Sequence, residues 1–170
     1  QAGITQPIVL LEGFFNADEL ALIAANDLWC VVHAQWQLTI IEQAHLARPL
    51  TVWLKMDSGM HRVGFFAHEY RAAWQRLHSS NNVASIVLMS HFARADEPDC
   101  LRTEEQYHLF QAATAGIAAP ISLCNSPALV AWPQLRSDWS RPGIILYGSQ
   151  PVVTSEQQFL PVMSLVSKII

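Results

Sequence analysis

Apolar positions in this chain come in short unbroken runs, and the stretches between them space their apolar residues three and four apart. PIVLLEGF (7–14), WCVVH (29–33), LTVWLKM (50–56), VASIVLMSH (83–91), APISLCN (119–125) and GIILYG (143–148) read as strands. Their near-continuous apolarity buries both faces of each strand. Asn16 followed three residues on by Glu19 marks a helix start, with Leu20, Ile23 and Ala24 as the apolar face behind it. Tyr70, Ala73, Trp74 and Leu77 repeat that spacing, as do Leu109, Ala112 and Ala113 ahead of Gly116, a helix stop. Ser126 reads as an N-cap with Pro127 at the first helical position, and Pro133 closes that short helix. Strand and helix alternate through six βα units, which predicts an α/β fold with a parallel sheet. Six strands complete an open doubly wound sheet, whereas a closed (β/α)8 barrel needs two more.

Polar residues that interrupt the strands gather at their carboxyl ends: His33, then Lys55 with Asp57, Ser90 with His91, and Asn125 with Ser126. In parallel α/β folds the site is built on that rim. Ser126 either satisfies its own helix or helps grip an anion at the helix terminus. SRPGIILYG (140–148) is either a tight loop into the last strand or a place where Gly143 lets backbone N–H groups approach a ligand beside Arg141. His91 is either a hydrogen-bonded core histidine or, with Phe92, an aromatic face for a planar ligand. Lys55 has three readings that residue types and spacing leave open: a Schiff-base amine, a positioned cation, or a strand-end residue with a buried stem and a solvated head. His45, His68, His78 and His108 fall on helices and are expected to be solvated. A metal site from His33, His61, His91 and Asp57 lacks any local pair with ligand spacing, so no metal is expected.

Composition narrows the class. A chain of 170 residues, 51% hydrophobic, fills the core of one ordinary domain. Net charge is −4 and the ten Lys and Arg are scattered, which argues against a nucleic-acid partner. Cys30, Cys100 and Cys124 are odd in number with no CxxC spacing, as expected of structural thiols in a reducing cytoplasm. No apolar run reaches the length of a membrane span, so a soluble, untargeted protein is expected. The chain begins at Gln1 and ends on Lys168, Ile169 and Ile170, which read as a strand cut partway, so a piece of a longer protein is expected.

LKMDSGMHRVGF (54–65), MSHFARAD (89–96), CNSPA (124–128) and RPGIILYG (141–148) occur in an order that resembles the alanine racemase family, and PIVLLEGFF (7–15) looks like that family's third barrel strand. The resemblance covers essentially the whole chain. It implies a pyridoxal 5'-phosphate enzyme that interconverts L- and D-alanine for peptidoglycan synthesis, built on a (β/α)8 barrel followed by a β domain and working as a homodimer. About six of the eight barrel strands then lie in residues 1–158, and 159–170 begin the C-terminal β domain. Lys55 matches the family's carbamylated lysine, whose anion holds Arg62. Arg62 matches a contact to both cofactor and substrate. His91 lies against the cofactor's ring or its hydrogen-bond network, and Arg141 faces the ring nitrogen, leaving it unprotonated and the ring a weak electron sink. Asn125, Ser126, Gly143 and Ile144 fall in the segments that hold the cofactor, the last three at its phosphate.

Departures from the family pattern carry as much weight. No segment resembles the first-strand stretch that holds the Schiff-base lysine, and the β-domain tyrosine that serves as the opposite acid/base is absent as well. Racemisation by two groups needs one on each face of a planar carbanion, so no catalytic pair is expected in this chain and the chain by itself is expected to be inactive. Two open barrel edges predict self-association of the piece. Ser58 stands at a usual threonine position, and His61 at a usually small one. The competing readings are an aldolase-like barrel with Lys55 as its own nucleophile, a non-catalytic barrel that binds pyridoxal phosphate, and, last, a metal hydrolase.

Overall fold

The structure, a computed structural model, describes residues 3–153, 158–164 and 166–168. Strands β1 (Val9–Leu10), β2 (Trp29–Val32), β3 (Leu50–Asp57), β4 (Phe65–Phe66), β5 (Val83–Met89) and β6 (Ile121–Ser122) alternate with helices α1 (Ala17–Ala25), α2 (Gln35–Gln43), α3 (Ala67–His78), α4 (Arg102–Thr114) and α5 (Ser126–Ala131). The sheet runs β1-β2-β3-β5-β6 with every pairing parallel, and β4 attaches to the end of β3. This is a partial barrel, α/β and parallel.

Side-chain parity divides the sheet into two faces. Cys30, Val32, Val52, Leu54, Met56 and Leu88 turn outward into the main core, where the helices cover them with Leu20, Ile23, Leu38, Ile41, Tyr70, Leu77 and Phe110. Tyr70 fastens α3 to the sheet by donating its hydroxyl proton to the Leu54 carbonyl at 2.8 Å. Val31, Trp53, Val87 and Met89 turn inward and form a second cluster with Val9 and Trp29. Trp139 closes it, edge-on to Trp29 at 5.5 Å between ring centroids. The inner face below the rim is thus filled by large apolar groups.

The helix-start signature is realised: Asn16 Oδ1 accepts from the Glu19 N–H at 3.1 Å, and the Glu19 carboxylate accepts from the Phe15 N–H at 2.8 Å. Several expectations are corrected. GIILYG is not a strand. The chain reaches the sheet earlier, with Trp139 bridging Ser122 in parallel and the Arg141 N–H donating to the Cys124 carbonyl at 2.9 Å. The apolar run then coils into a 3₁₀ turn (Ile144–Tyr147) stopped by left-handed Gly148, which leaves Ile144, Leu146 and Tyr147 exposed. Helix α4 buries Thr103, Gln106, Phe110 and Thr114 in place of Leu109 and Ala112. The cap of α5 is Asn125, whose side chain accepts from the Ala128 N–H at 3.1 Å, and Ser126 is the first helical residue. His45 lies past the end of α2 and, like His68, His78 and His108, is exposed. The expected terminal strand is not formed among the described residues, and Ile169 and Ile170 lie outside them.

Candidate active site

Parity along the inner face builds the site. Two residues beyond Val31 is His33; two beyond Trp53 is Lys55; two and four beyond Val87 are Met89 and His91. Lys55 and Met89 face each other in the β3–β5 register. These residues emerge together at the carboxyl rim and line a cavity of about 450 Å³, joined by Arg62, Arg141, Leu11 and Phe15. Arg62 returns to the rim because the loop after β3 doubles back into β4. Gly64 makes that close approach possible: its φ is +134°, and a Cβ there would lie 2.6 Å from the Asp57 nitrogen.

The cavity is cationic. Lys55 is 6% exposed, and burial, followed by the nearby charges of Arg62 and Arg141, lowers its pKa to about 8. Among the described residues the one carboxylate on the cavity wall, Glu12, is exposed. Burial, with Arg62 adding to it, brings Arg141 down to about 10, so it stays charged at neutral pH. Burial and the three cations Arg141, Arg62 and Lys55 pull His91 to about 4, which keeps the imidazole neutral. His33 is lowered by burial in the same way, against the pull of the Glu12 carbonyl on its ring at 3.2 Å.

Arg141 is held with unusual completeness. Its Nε donates to Ser122 Oγ at 3.0 Å, Nη2 to the Ser90 and Leu123 carbonyls at 2.5 and 3.0 Å, and Nη1 to His91 Nδ1 at 3.2 Å. A guanidinium has no acceptor, so His91 Nδ1 must be the unprotonated nitrogen and the ring proton sits on Nε2. Asn125 faces Nε2 at 3.4 Å through its amide nitrogen. That nitrogen already donates to the Phe92 carbonyl at 3.1 Å, so two donors confront each other and the Nε2 proton needs an acceptor from elsewhere.

Ser126, Gly143 and Ile144 stand beside this cavity and do not line it. They are joined to each other: the Gly143 N–H donates to Ser126 Oγ at 2.8 Å. A Cβ at Gly143 would meet only that oxygen, at 3.9 Å, so no internal packing requires glycine there. Asp57 stays out of the cavity as well. Burial opposes its ionisation, but the N–H groups of His61 and Gly59, together with the His61 ring at 3.2 Å, hold its carboxyl below the ordinary range. His33, His61, His91 and Asp57 therefore do not converge, and no three His, Cys, Asp or Glu among the described residues are placed to hold a metal ion.

Sequence reasoning missed Gln106. It sits on α4, 1% exposed, and bonds Ser58, the His91 carbonyl and the Ala93 N–H. A polar residue at the inward spacing of a helix, between Thr103 and Phe110, was the available signal.

The model of the family described as alanine racemase, N-terminal domain, matches residues 1–151. The chain is 61% identical over its full length to the catabolic alanine racemase of Pseudomonas aeruginosa, covering 48% of that protein, and 59% identical to the alanine racemase of Pseudomonas fluorescens, covering 99% of this chain and 48% of the relative. Among solved structures, the biosynthetic alanine racemase of Pseudomonas aeruginosa superposes with a TM-score of 0.84 at 43% identity, over 88% of this chain and 42% of that one. The alanine racemase of E. faecalis gives 0.84 at 27% identity, over 94% and 46%. The chain spans about half the length of the curated relatives it matches.

Proposed function

The chain belongs to the alanine racemase family, and from that membership we propose that it supplies the cofactor-cradling part of an enzyme interconverting L- and D-alanine with pyridoxal 5'-phosphate. The observation that carries this reading is the cavity itself: Lys55, Arg62 and Arg141 share one wall with a neutral His91, a setting for an anionic, planar ligand. The residues fit the cofactor. Four of the five guanidinium N–H groups of Arg141 go to the protein, which leaves one for a ring nitrogen acceptor. Open space at Gly143 and the hydroxyl proton of Ser126 suit a phosphate, with Ile144 beginning the turn beside them. When bound, the cofactor delocalises the electron pair left after the alanine α-proton departs.

This chain's own residues bind and orient. Arg141, charged at neutral pH, offers a proton it does not release there, and so keeps its partner nitrogen unprotonated. Arg62, exposed at the cavity mouth, meets the substrate carboxylate. Lys55 is poised for carbamylation: with a pKa of about 8, an appreciable fraction of its amine is neutral near pH 7. The neutral nitrogen attacks CO2, a C–N bond forms, the displaced electron pair moves to oxygen, and the amine proton passes to water. The resulting anion sits where Arg62 and Arg141 already repel the ammonium. The proton-moving pair lies outside these residues in this proposal, so the 170-residue chain by itself is inactive.

The finer assignments belong to the same proposal: a barrel portion in 1–158 with a β domain beginning at 159–170, a homodimer, a cytoplasmic location and supply of D-alanine to peptidoglycan. No helix among the described residues is long and apolar enough to cross a membrane. The open β1 edge, with exposed Ile4, Ile8 and Leu11 near it, favours self-association of the isolated chain, and exposed Ile144 and Leu146 add further apolar surface. A catabolic role is the second reading, favoured by the higher identity to the relative named catabolic. Polarimetric or coupled detection of D-alanine formed from L-alanine by the whole protein, with and without added pyridoxal phosphate, tests the function; cofactor-independent or absent turnover overturns it. Borohydride reduction with a carbonyl substrate, followed by peptide mapping, addresses the aldolase-like alternative, which label on Lys55 would support.

A further inference from the structure

We propose that Gln106 is a positioning residue of this site, acting through a one-directional chain of hydrogen bonds that holds the strand ends from which Lys55 and His91 project and on which Arg141 is anchored. The inference rests on the proposed function only for what those groups act upon. Ala93 N–H is a donor, so the Gln106 atom facing it at 2.9 Å must be oxygen; the His91 carbonyl is an acceptor, so the atom facing it at 3.0 Å must be nitrogen. The amide has one possible orientation. Its nitrogen therefore also donates to Ser58 Oγ at 3.2 Å. Ser90 gives its one hydroxyl proton to the Met56 carbonyl at 2.9 Å, so the 2.7 Å bond between Ser58 and Ser90 must be donated by Ser58. Every link from α4 to β3 thus has one direction, fixed at one end by the Gln106 amide and at the other by the Met56 carbonyl.

What the chain ties together gives it its role. Met56, on β3, and Ser58, the first residue beyond it, bracket Asp57 just past Lys55. Ser90 precedes His91, and the Ser90 carbonyl is one of the acceptors that hold Arg141. Gln106, Ser58 and Ser90 are 1%, 4% and 2% exposed, so a missing link leaves a buried polar group that water cannot reach. The neighbouring strand would shift to recover a partner, opening the rim and separating the cations.

The test uses the whole protein freed of cofactor, in CO2-free buffer so that Lys55 is an unmodified amine. Lys55 is acetylated competitively across pH 6–11 and quantified by peptide mass spectrometry, in Ser58→Ala, Ser58→Thr, Gln106→Leu and the Ser58→Ala/Gln106→Leu double variant, with folding checked by circular dichroism. Lys55 is faced across the cavity by Arg62, Arg141, His91, His33 and Glu12, with Asp57 acting on it from outside the cavity, and none of these is changed. Wild type and Ser58→Thr, which keeps the hydroxyl, are expected to titrate near pH 8. Ser58→Ala and Gln106→Leu are expected to titrate about one pH unit higher, cutting labelling at pH 8 roughly fivefold, with the double variant no worse than Gln106→Leu alone. Unchanged titration in a folded Ser58→Ala, equal disturbance by Ser58→Thr, or additive effects in the double variant overturns the proposal. If Gln106→Leu does not fold, the Ser58→Ala and Ser58→Thr pair decides. Labelling is read without cofactor or alanine, so a protein that fails to racemise alanine but shows the expected titrations sinks the function and leaves the positioning role standing.

Discussion

Replacing Lys55 with methionine should make the protein more stable when CO2 is excluded, the reverse of what loss of a buried charged residue in a site usually does. Lys55 as a residue is 6% exposed, with Arg62 and Arg141 beside its ammonium. Its pKa falls from an ordinary 10.5 to about 8. At about 1.4 kcal/mol per pH unit, that drop corresponds to ~3 kcal/mol of destabilisation of the charged form. The native state binds this proton less tightly than the unfolded chain does. Below pH 8 both states are charged and the full cost is present; between pH 8 and 10.5 the native state sheds its proton first and the cost fades. Methionine keeps the stem length and removes the charge. Urea unfolding of the whole protein followed by tryptophan fluorescence, at pH 7 in CO2-free buffer, should show Lys55→Met more stable by ~2–3 kcal/mol, the gap closing by about pH 10.5. In bicarbonate-saturated buffer the order should reverse, because the wild type then carries an anion between two guanidinium groups and the variant cannot. A variant that is less stable than wild type in CO2-free buffer at pH 7 refutes the reasoning.

Three other perturbations probe the same rim. His91, held near 4, should make stability decline as pH falls from about 6.5 to 4, by up to ~3 kcal/mol, since the unfolded chain takes up the proton first; His91→Asn, which can still accept from Arg141, should flatten that limb in an acid unfolding series. Arg141→Ala orphans the Ser90 and Leu123 carbonyls and the Ser122 hydroxyl, and should lower stability by about 3 kcal/mol or more in thermal unfolding while weakening pyridoxal phosphate binding read by absorbance. Gly64→Ala forces a Cβ to 2.6 Å from the Asp57 nitrogen at a φ of +134°, so it should cost more than ~2 kcal/mol and raise KM for alanine in the whole protein as the Arg62 loop moves; an unchanged KM would detach that loop from the substrate.

The apolar runs of 7–14, 29–33, 50–56, 83–91 and 119–125 were enough to determine a parallel α/β sheet, because strands buried on both faces leave no other pattern. Polar residues closing the apolar runs likewise put His33, Lys55 and His91 at one rim, and the joint motifs were enough to determine the family. What the sequence left open depended on contacts between distant segments. Whether an apolar run such as GIILYG pairs or coils turned on Trp139 and Arg141 occupying the place beside β6 and Cys124. Asn125 displaced Ser126 as the cap because the freed serine oxygen found Gly143, seventeen residues away. Gln106 stayed invisible because its amide answers to Ser58, His91 and Ala93, groups brought near it only by the packing of α4 on the sheet. Local pattern reports which face a residue occupies; hydrogen-bond direction and pKa depend on what lies across the gap, and that is decided only when the whole fold closes.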